Sequence, residues 1–230
     1  MDFEFPDENG NPYKSSGGEM VYCAEVDGEV PEGWRIVPIK DFCDEMRNGA
    51  TPNRGVLEYW NRPDIPWLKT GEVSNNIAIK SEEYISENGF KNSSTKVLPI
   101  NTVLMAMYGA TAGQIAFLKF ETTTNQACCG MICKSIKEAS FLYYHFLVNQ
   151  KEIANMATGG AQPNLSKNLI EDLLITLPTE KIMNLHPLDT IIEERTKVTK
   201  ENELLGQLEE LVLARMTMVE NDVEIIQLKQ

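Results

Sequence analysis

The sequence predicts an α+β chain: a mixed α/β domain followed by one long C-terminal helix that forms a coiled coil. Three observations carry this. Short apolar runs such as VLMAMYG, QIAFLKF and ACCGMIC, bounded by Gly, Thr and amide side chains, have the length and punctuation of strands. A longer run, ASFLYYHFLVNQKEIANM, has the apolar spacing of a helix, with Phe141, Tyr144, His145, Val148 and Ile153 approximating one face. Beyond it, Ile191, Val198, Leu205, Val212 and Val219 recur every seven residues, flanked at the same period by Leu204, Leu211 and Met218.

Taken in order, the chain has three parts. Residues 1–33 contain DENGNP, SSGG and VPEGW, a turn-rich arm with little periodicity. Residues 34–187 form the mixed domain, opening with a helix-like IKDFCDEM and a Gly/Pro-punctuated loop, GATPNRGVLEYWNRPDIP. Strand-like WLKTGEV follows, then the three runs above and the helical segment. Residues 188–230 hold the heptad, in which Gly206 is the only Gly or Pro. A helix from 188 to about 226 would be about 58 Å long. Asn202, three residues before Leu205 at the edge of the apolar seam, is placed to fix register with a partner helix. A heptad also suits a helix lying on its own domain, but this stripe extends beyond what a small domain needs to cover.

At 230 residues and 42% hydrophobic content the chain can bury a core of ordinary domain size. No apolar run approaches the roughly 18 residues of a bilayer span, and MDFEFPDENG lacks the basic and then apolar order of a signal peptide, so a cytoplasmic location without membrane contact is expected. The net charge of −13 is unevenly spread. Residues 1–33 hold one Lys against nine acidic residues, and residues 179–230 hold six basic against eleven acidic. Residues 34–178 carry fourteen of each sign, with eight basic against six acidic between Arg47 and Lys119. The middle of the chain is therefore free to face a polyanion.

Several chemistries lack their residues. No two prolines adjoin and no F-x-G-x-G occurs, which removes the loops of an amino-methyltransferase. No acidic residue stands two positions before a lysine, so the common metal-dependent nuclease pattern is missing. GATAGQ lacks the Gly-Lys-Ser/Thr of a phosphate loop. His145 and His186 have no nucleophile with a local signature. The CC-x3-C group of Cys128, Cys129 and Cys133 has no nearby His and no second pair, so the thiols read as core rather than as metal ligands. Neither a catalytic residue nor a metal site is expected.

What remains is a recognition surface. Base edges in the major groove are matched by Arg, Lys, Asn, Gln, Ser and Thr held on rigid strand ends. The loops supply these as Thr51, Asn53 and Arg54; Lys69 and Thr70; Ser93, Ser94 and Lys96; Tyr108, Thr111 and Gln114; Asn125 and Gln126; and Gln162, Asn164 and Lys167. Singly, each is better explained as a solvated turn or a helix cap; the set is more telling than its members. Thr51, Arg54, Lys69, Thr70, Ser94, Lys96, Tyr108, Thr111, Gln114, Gln162 and Asn164 are taken as the DNA-facing set. Asn125 and Gln126, running straight into a buried strand, are expected to satisfy backbone groups instead.

The succession PEGW, GATP, YW, IPWLKTGEV, SS with VLP, VLMAMYGATAGQIA, TTNQA, FLYYHF, GGAQPNLS and ENELLGQLEELVL, in that order along nearly the whole chain, resembles the specificity subunit of type I restriction-modification systems. The resemblance implies a target-recognition domain docking in the major groove of double-stranded DNA, and a long helix that holds DNA methyltransferase subunits and, through them, a restriction/translocase subunit. It further implies that S-adenosylmethionine, ATP and Mg are bound by those partners and not by this chain. Full-length members resemble two such units in tandem, whereas this chain has one, so a homodimer or a second specificity chain is expected through Ile191, Val198, Asn202, Leu205, Val212 and Val219. LPTEKIMNLHPL replaces the two prolines and Gln-rich helix start of the family, leaving the helix start open. A non-catalytic protein-protein adaptor with a coiled coil and a stand-alone DNA-binding protein are the alternatives.

Overall fold

The computed structural model describes residues 2–7, 9–157 and 164–227, with side chains as far as residue 216. It divides into two compact units, Met1–Asp189 and Thr190–Gln230.

The N-terminal arm is more ordered than its weak periodicity suggests. Phe5 stacks on Tyr13 and Trp34 at centroid distances of 4.6 and 5.1 Å. Strands β1 (Met20–Cys23) and β2 (Gly28–Pro31) then form an antiparallel hairpin. After β3 (Arg35–Pro38) comes α1 (Ile39–Phe42), a single turn. The expected helix over IKDFCDEM ends there, because its second half enters β4 (Glu45–Asn48) and spends its backbone groups on a neighbouring strand. WLKTGEV is likewise divided: β5 (Ile65–Leu68) stops after Leu68, and Thr70–Glu72 is a 3₁₀ turn closed by the Glu72 carboxylate on the Lys69 amide at 2.8 Å.

The next elements are β6 (Asn76–Ala78), β7 (Glu83–Ile85), α2 (Glu87–Lys91), β8 (Val103–Ala106), β9 (Ile115–Leu118), β10 (Thr123–Thr124) and β11 (Cys128–Ile132). They form a five-stranded sheet in the order β4-β11-β8-β9-β6 and a three-stranded sheet β10-β5-β7. The three predicted apolar runs are the three central strands, and β8 and β9 are buried along their whole length. Continuous apolar sequence follows because both faces of the sheet are covered. One set of alternate residues, Leu104, Ala106, Ala116, Leu118 and Cys128, joins Leu68 and Leu98 in a single cluster. The opposite set includes Phe117, whose ring meets Tyr143 edge-on at 5.8 Å.

Tyr143 belongs to α3 (Ile136–Asn155). The buried face of this helix is Ala139, Leu142, Tyr143, Phe146 and Ile153, at the spacing of a regular helical stripe. The face drawn through Phe141, Tyr144, His145 and Val148 is therefore one residue off, and Val148 is 76% exposed. Helix α4 (Lys167–Asp172) leads to β12 (Leu174–Leu177), which pairs antiparallel with β3. Helix α5 (Glu180–Leu185) stops at His186, whose extended backbone is the conformation that Pro187 favours in the residue before it. The final helix, α6 (Leu188–Gln227), starts directly after that proline.

Candidate nucleic-acid interface

Most of the predicted readers lie in loops that the strand ends bring together. β10 runs parallel to β5, with Thr124 opposite Leu68, so residues 68–70 and 124–126 leave their strands side by side. The Asn125 amide N–H donates to Leu68 O at 3.3 Å, and the Thr70 hydroxyl donates to Asn125 Oδ1 at 2.9 Å. On the other flank the Ala50 N–H donates to Thr124 O at 2.9 Å, and the Thr51 hydroxyl donates to Gln126 Oε1 at 2.6 Å. Gly49 permits this approach, since a Cβ there would collide with the carbonyl oxygens of Thr124 and Asn125. The Thr95 hydroxyl reaches Thr124 O from the segment that carries exposed Ser94 and Lys96.

A second group adjoins the first. Met107 N–H donates to Ala127 O and Leu165 N–H to Met107 O, both at 2.8 Å, so Tyr108 and Asn164 are anchored beside Gln126 and bridge one another. Tyr108 is 40% exposed and opens the 3₁₀ turn Gly109–Thr111. The Thr111 hydroxyl donates to Tyr108 O within its own turn at 3.5 Å, and Gln114 is half-buried. Gln162 lies outside the described residues. Asn125 satisfies backbone as expected, its Oδ1 also accepting from Ala127 N–H at 3.2 Å, whereas Gln126 is exposed and bonded to Thr51.

Arg54 and Lys69 form the charged end of this ridge, together with residues that the sequence did not single out. Arg54 Nη1 lies 2.7 Å from Glu83 Oε2, and the guanidinium lies over the Trp60 ring at 3.6 Å and the Trp67 ring at 4.7 Å. Lys69 Nζ lies 3.1 Å from both Glu82 and Glu83. Hydrogen bonds to Glu82 and Glu83 raise the Lys69 ammonium above its ordinary value. Partial burial works to raise the Glu83 carboxyl, but hydrogen bonds from Arg54 and Lys69 hold it below the usual carboxylate range. Both cations are thus partnered within the chain, and the carboxylates of Glu72, Glu82 and Glu83 offset the locally basic stretch at this point. The YW and IPW motifs that carry Trp60 and Trp67 were legible, but the carboxylates of Glu82 and Glu83 lie too far along the chain from Arg54 for any local spacing to reveal them.

The titratable groups elsewhere suit a core. Burial pushes the Cys128 and Cys129 thiols up to about 12 and the His145 imidazole down to about 4. Cys133 is raised too, by its hydrogen bond with Cys43 and by burial. Among the described residues no group of three or more His, Cys, Asp and Glu side chains is arranged to hold a metal ion, and no helix is long and apolar enough to cross a membrane.

Comparison with known proteins decides the family. The model of the type I restriction modification DNA specificity domain matches residues 31–206. The chain belongs to this family. The specificity domain is 29% identical over 191 residues to the type I restriction enzyme MjaIX specificity subunit of Methanocaldococcus jannaschii, covering 79% of this chain and 43% of that protein. It is 30% identical over 136 residues to the EcoprrI specificity subunit of Escherichia coli, covering 55% of this chain and 32% of the relative. The chain therefore spans less than half the length of these curated relatives. Among solved structures, the HsdS subunit from Thermoanaerobacter tengcongensis shares the fold at a TM-score of 0.54 and 14% identity, over 81% of this chain and 42% of that one. The type I S subunit from M. genitalium does so at 0.53 and 16%, over 78% of this chain and 42% of that one. The α+β fold with its long C-terminal helix is that of the specificity-domain family.

The helical residues expected to meet a partner are on view. Ile191, Val198, Leu205 and Val212 are all at least 41% exposed, with Leu204, Leu208 and Leu211 beside them. Asn202 is exposed as well, and Val219 lies on α6 beyond the described side chains.

Proposed function

We propose that this specificity domain reads one half-site of a bipartite double-stranded DNA target in the major groove, performs no chemistry itself, and recruits methyltransferase subunits and a restriction/translocase subunit through α6. The observation that carries this is the ridge of side-chain donors and acceptors at the β5, β8 and β10 ends, present in a chain of the DNA-specificity family. Such side chains, fixed by the strands behind them, match the donor and acceptor code of the groove. The exposed apolar stripe of α6 supports assembly on partner helices.

Methyl transfer and cleavage are assigned to the partners, in the cytoplasm. S-adenosylmethionine, ATP and Mg are bound there, because the glycine turn and Pro-Pro loop that would hold methyl donor and flipped base are missing from this sequence. Calorimetry with the purified chain should give no heat of S-adenosylmethionine binding; saturable binding would defeat the assignment.

Electrophoretic shifts on random duplexes, with and without methyltransferase subunits, test the whole. Half-site recognition requires that the chain gain both affinity and sequence choice when those subunits are added. A chain that binds no DNA in either setting is a protein adaptor, and one that shows full sequence choice alone is a stand-alone DNA binder.

A further inference from the structure

The ion-paired state of Arg54 carries an inference that rests on DNA recognition and goes beyond it. We infer that Glu83, with Trp60 and Trp67, fixes the Arg54 guanidinium as a preorganised, charge-balanced reader of a guanine edge, so that Glu83 is a specificity-determining positioning residue.

The geometry fixes Arg54 from three sides. Its guanidinium lies over the Trp60 ring and is bonded through Nη1 to Glu83. The tryptophans are themselves held by the loop that bears Arg54: Trp60 Nε1–H donates to Asn53 O at 3.3 Å, and Trp67 Nε1–H donates to Ala50 O at 3.0 Å. Glu83 is held in turn by Lys69, whose Nζ also bonds Glu82. The two strand ends that present Lys69 and Glu82 are tied by one carboxylate, Glu72, which accepts from the Lys69 amide at 2.8 Å and from the Glu82 amide at 2.9 Å.

A guanidinium carries five N–H donors in a planar fork. Glu83 Oε2 accepts at Nη1, which leaves at least two parallel donors for the O6 and N7 acceptors of guanine. The Arg54 side chain is half exposed, so the fork is accessible while its plane is set by the indole. The carboxylates of Glu82 and Glu83, with Glu72 beside them, more than offset the charge of Arg54 and Lys69 that would otherwise bind any phosphate. A cluster with no excess positive charge contributes little to non-specific affinity and leaves geometry to decide, which is the condition for reading a base rather than the backbone.

The test uses the full chain assembled with its methyltransferase subunits, selecting bound duplexes from a random pool. The unmodified assembly should select a half-site containing a fixed guanine. Glu83→Gln should lower preference for that guanine by about tenfold or more, the scale of one bidentate contact. It should also raise affinity for random DNA and steepen its salt dependence, because Arg54 and Lys69 are released toward phosphates. Arg54→Lys keeps charge but loses the planar fork, and should lose the same preference; it carries the test if Glu83→Gln does not fold. Retention of guanine preference in either folded variant, or improvement of cognate and random binding by the same factor in Glu83→Gln, overturns the assignment and leaves a plain screening ion pair. A selected half-site with no guanine also overturns it while half-site recognition stands, whereas failure of the unmodified assembly to select any sequence defeats half-site recognition itself.

Discussion

His145 illustrates how a side chain that looks chemical serves the core. Burial holds its imidazole neutral, with a proton affinity lowered to about 4 against an ordinary 6.5. Between those values the unfolded chain takes up a proton that the folded chain does not. Its contribution to stability is thus complete above pH 6.5 and is lost as pH falls toward 4. Replacing the ring by Asn, which does not titrate, should flatten the dependence of denaturation midpoint on pH between 6.5 and 5; parallel curves for both proteins would refute this role. Gly49 acts by absence. Any Cβ there meets the carbonyls of Thr124 and Asn125, so Gly49→Ala must push the 49–54 loop off the β10 end. It is expected to lower thermal stability and to weaken DNA binding together, since Thr51 and Arg54 ride on that loop; melting curves and shift assays on the same preparation check both. Arg54→Ala and Lys69→Ala should each lower affinity or sequence preference in the assembled complex, since loss of a base contact costs about 1–3 kcal/mol at one position and loss of a phosphate contact weakens all sequences alike; selections that leave both unchanged would refute their placement.

At the scale of elements, α3 shows what its sequence does and does not disclose. Ser135 accepts from the Glu138 amide at 3.2 Å while the Glu138 carboxylate accepts from Lys134 N–H at 3.0 Å, a reciprocal cap that begins the helix. Ser135→Ala should cost about 1 kcal/mol and shift the thermal midpoint by roughly 2–4 °C, measurable by circular dichroism. The length and helical nature of this segment were legible because its apolar density is high. Its face was not, because Phe141, Tyr144 and Val148 are apolar on the rim while Ala139 and Ser140 are small and buried. The central strands were legible for the opposite reason: β8 and β9 are buried on both faces, and nothing polar interrupts them. β4 was missed because Glu45–Asn48 is an edge strand whose identity comes from pairing with β11, about eighty residues onward, and pairing outweighs local propensity. The same physics governs the interface. Thr51, Thr70 and Tyr108 were visible as strand-end polar groups, but the joining of their loops through Thr124, Asn125 and Met107 is made by long-range backbone bonds. The Glu82 and Glu83 partners of Arg54 and Lys69 have no periodic trace at all.

For the whole molecule the question is what covers the stripe on α6. Leu205 is 62% exposed and Val212 47%, and Leu204, Leu208 and Leu211 widen the same surface. An apolar band of this length in water favours a second helix. On the proposed half-site reading, a bipartite target would call for a second domain, and a second copy of this chain would supply it. Closed two-fold symmetry pairs the helices antiparallel, and the two copies then read halves that are inverted repeats. The 40 residues of α6 extend for about 60 Å, which bounds the half-site separation at roughly one and three-quarter turns of DNA. Glu substitutions at Leu205 and Val212 together place like charges in the seam and should convert the dimer to monomer, with each recognition domain still folded. Light scattering on the unmodified chain should report two copies, and mapped methylation should fall in inverted halves. A monomer in solution, or a methylated site whose halves are unrelated, would transfer the stripe to another specificity unit or to a helix of the methyltransferase.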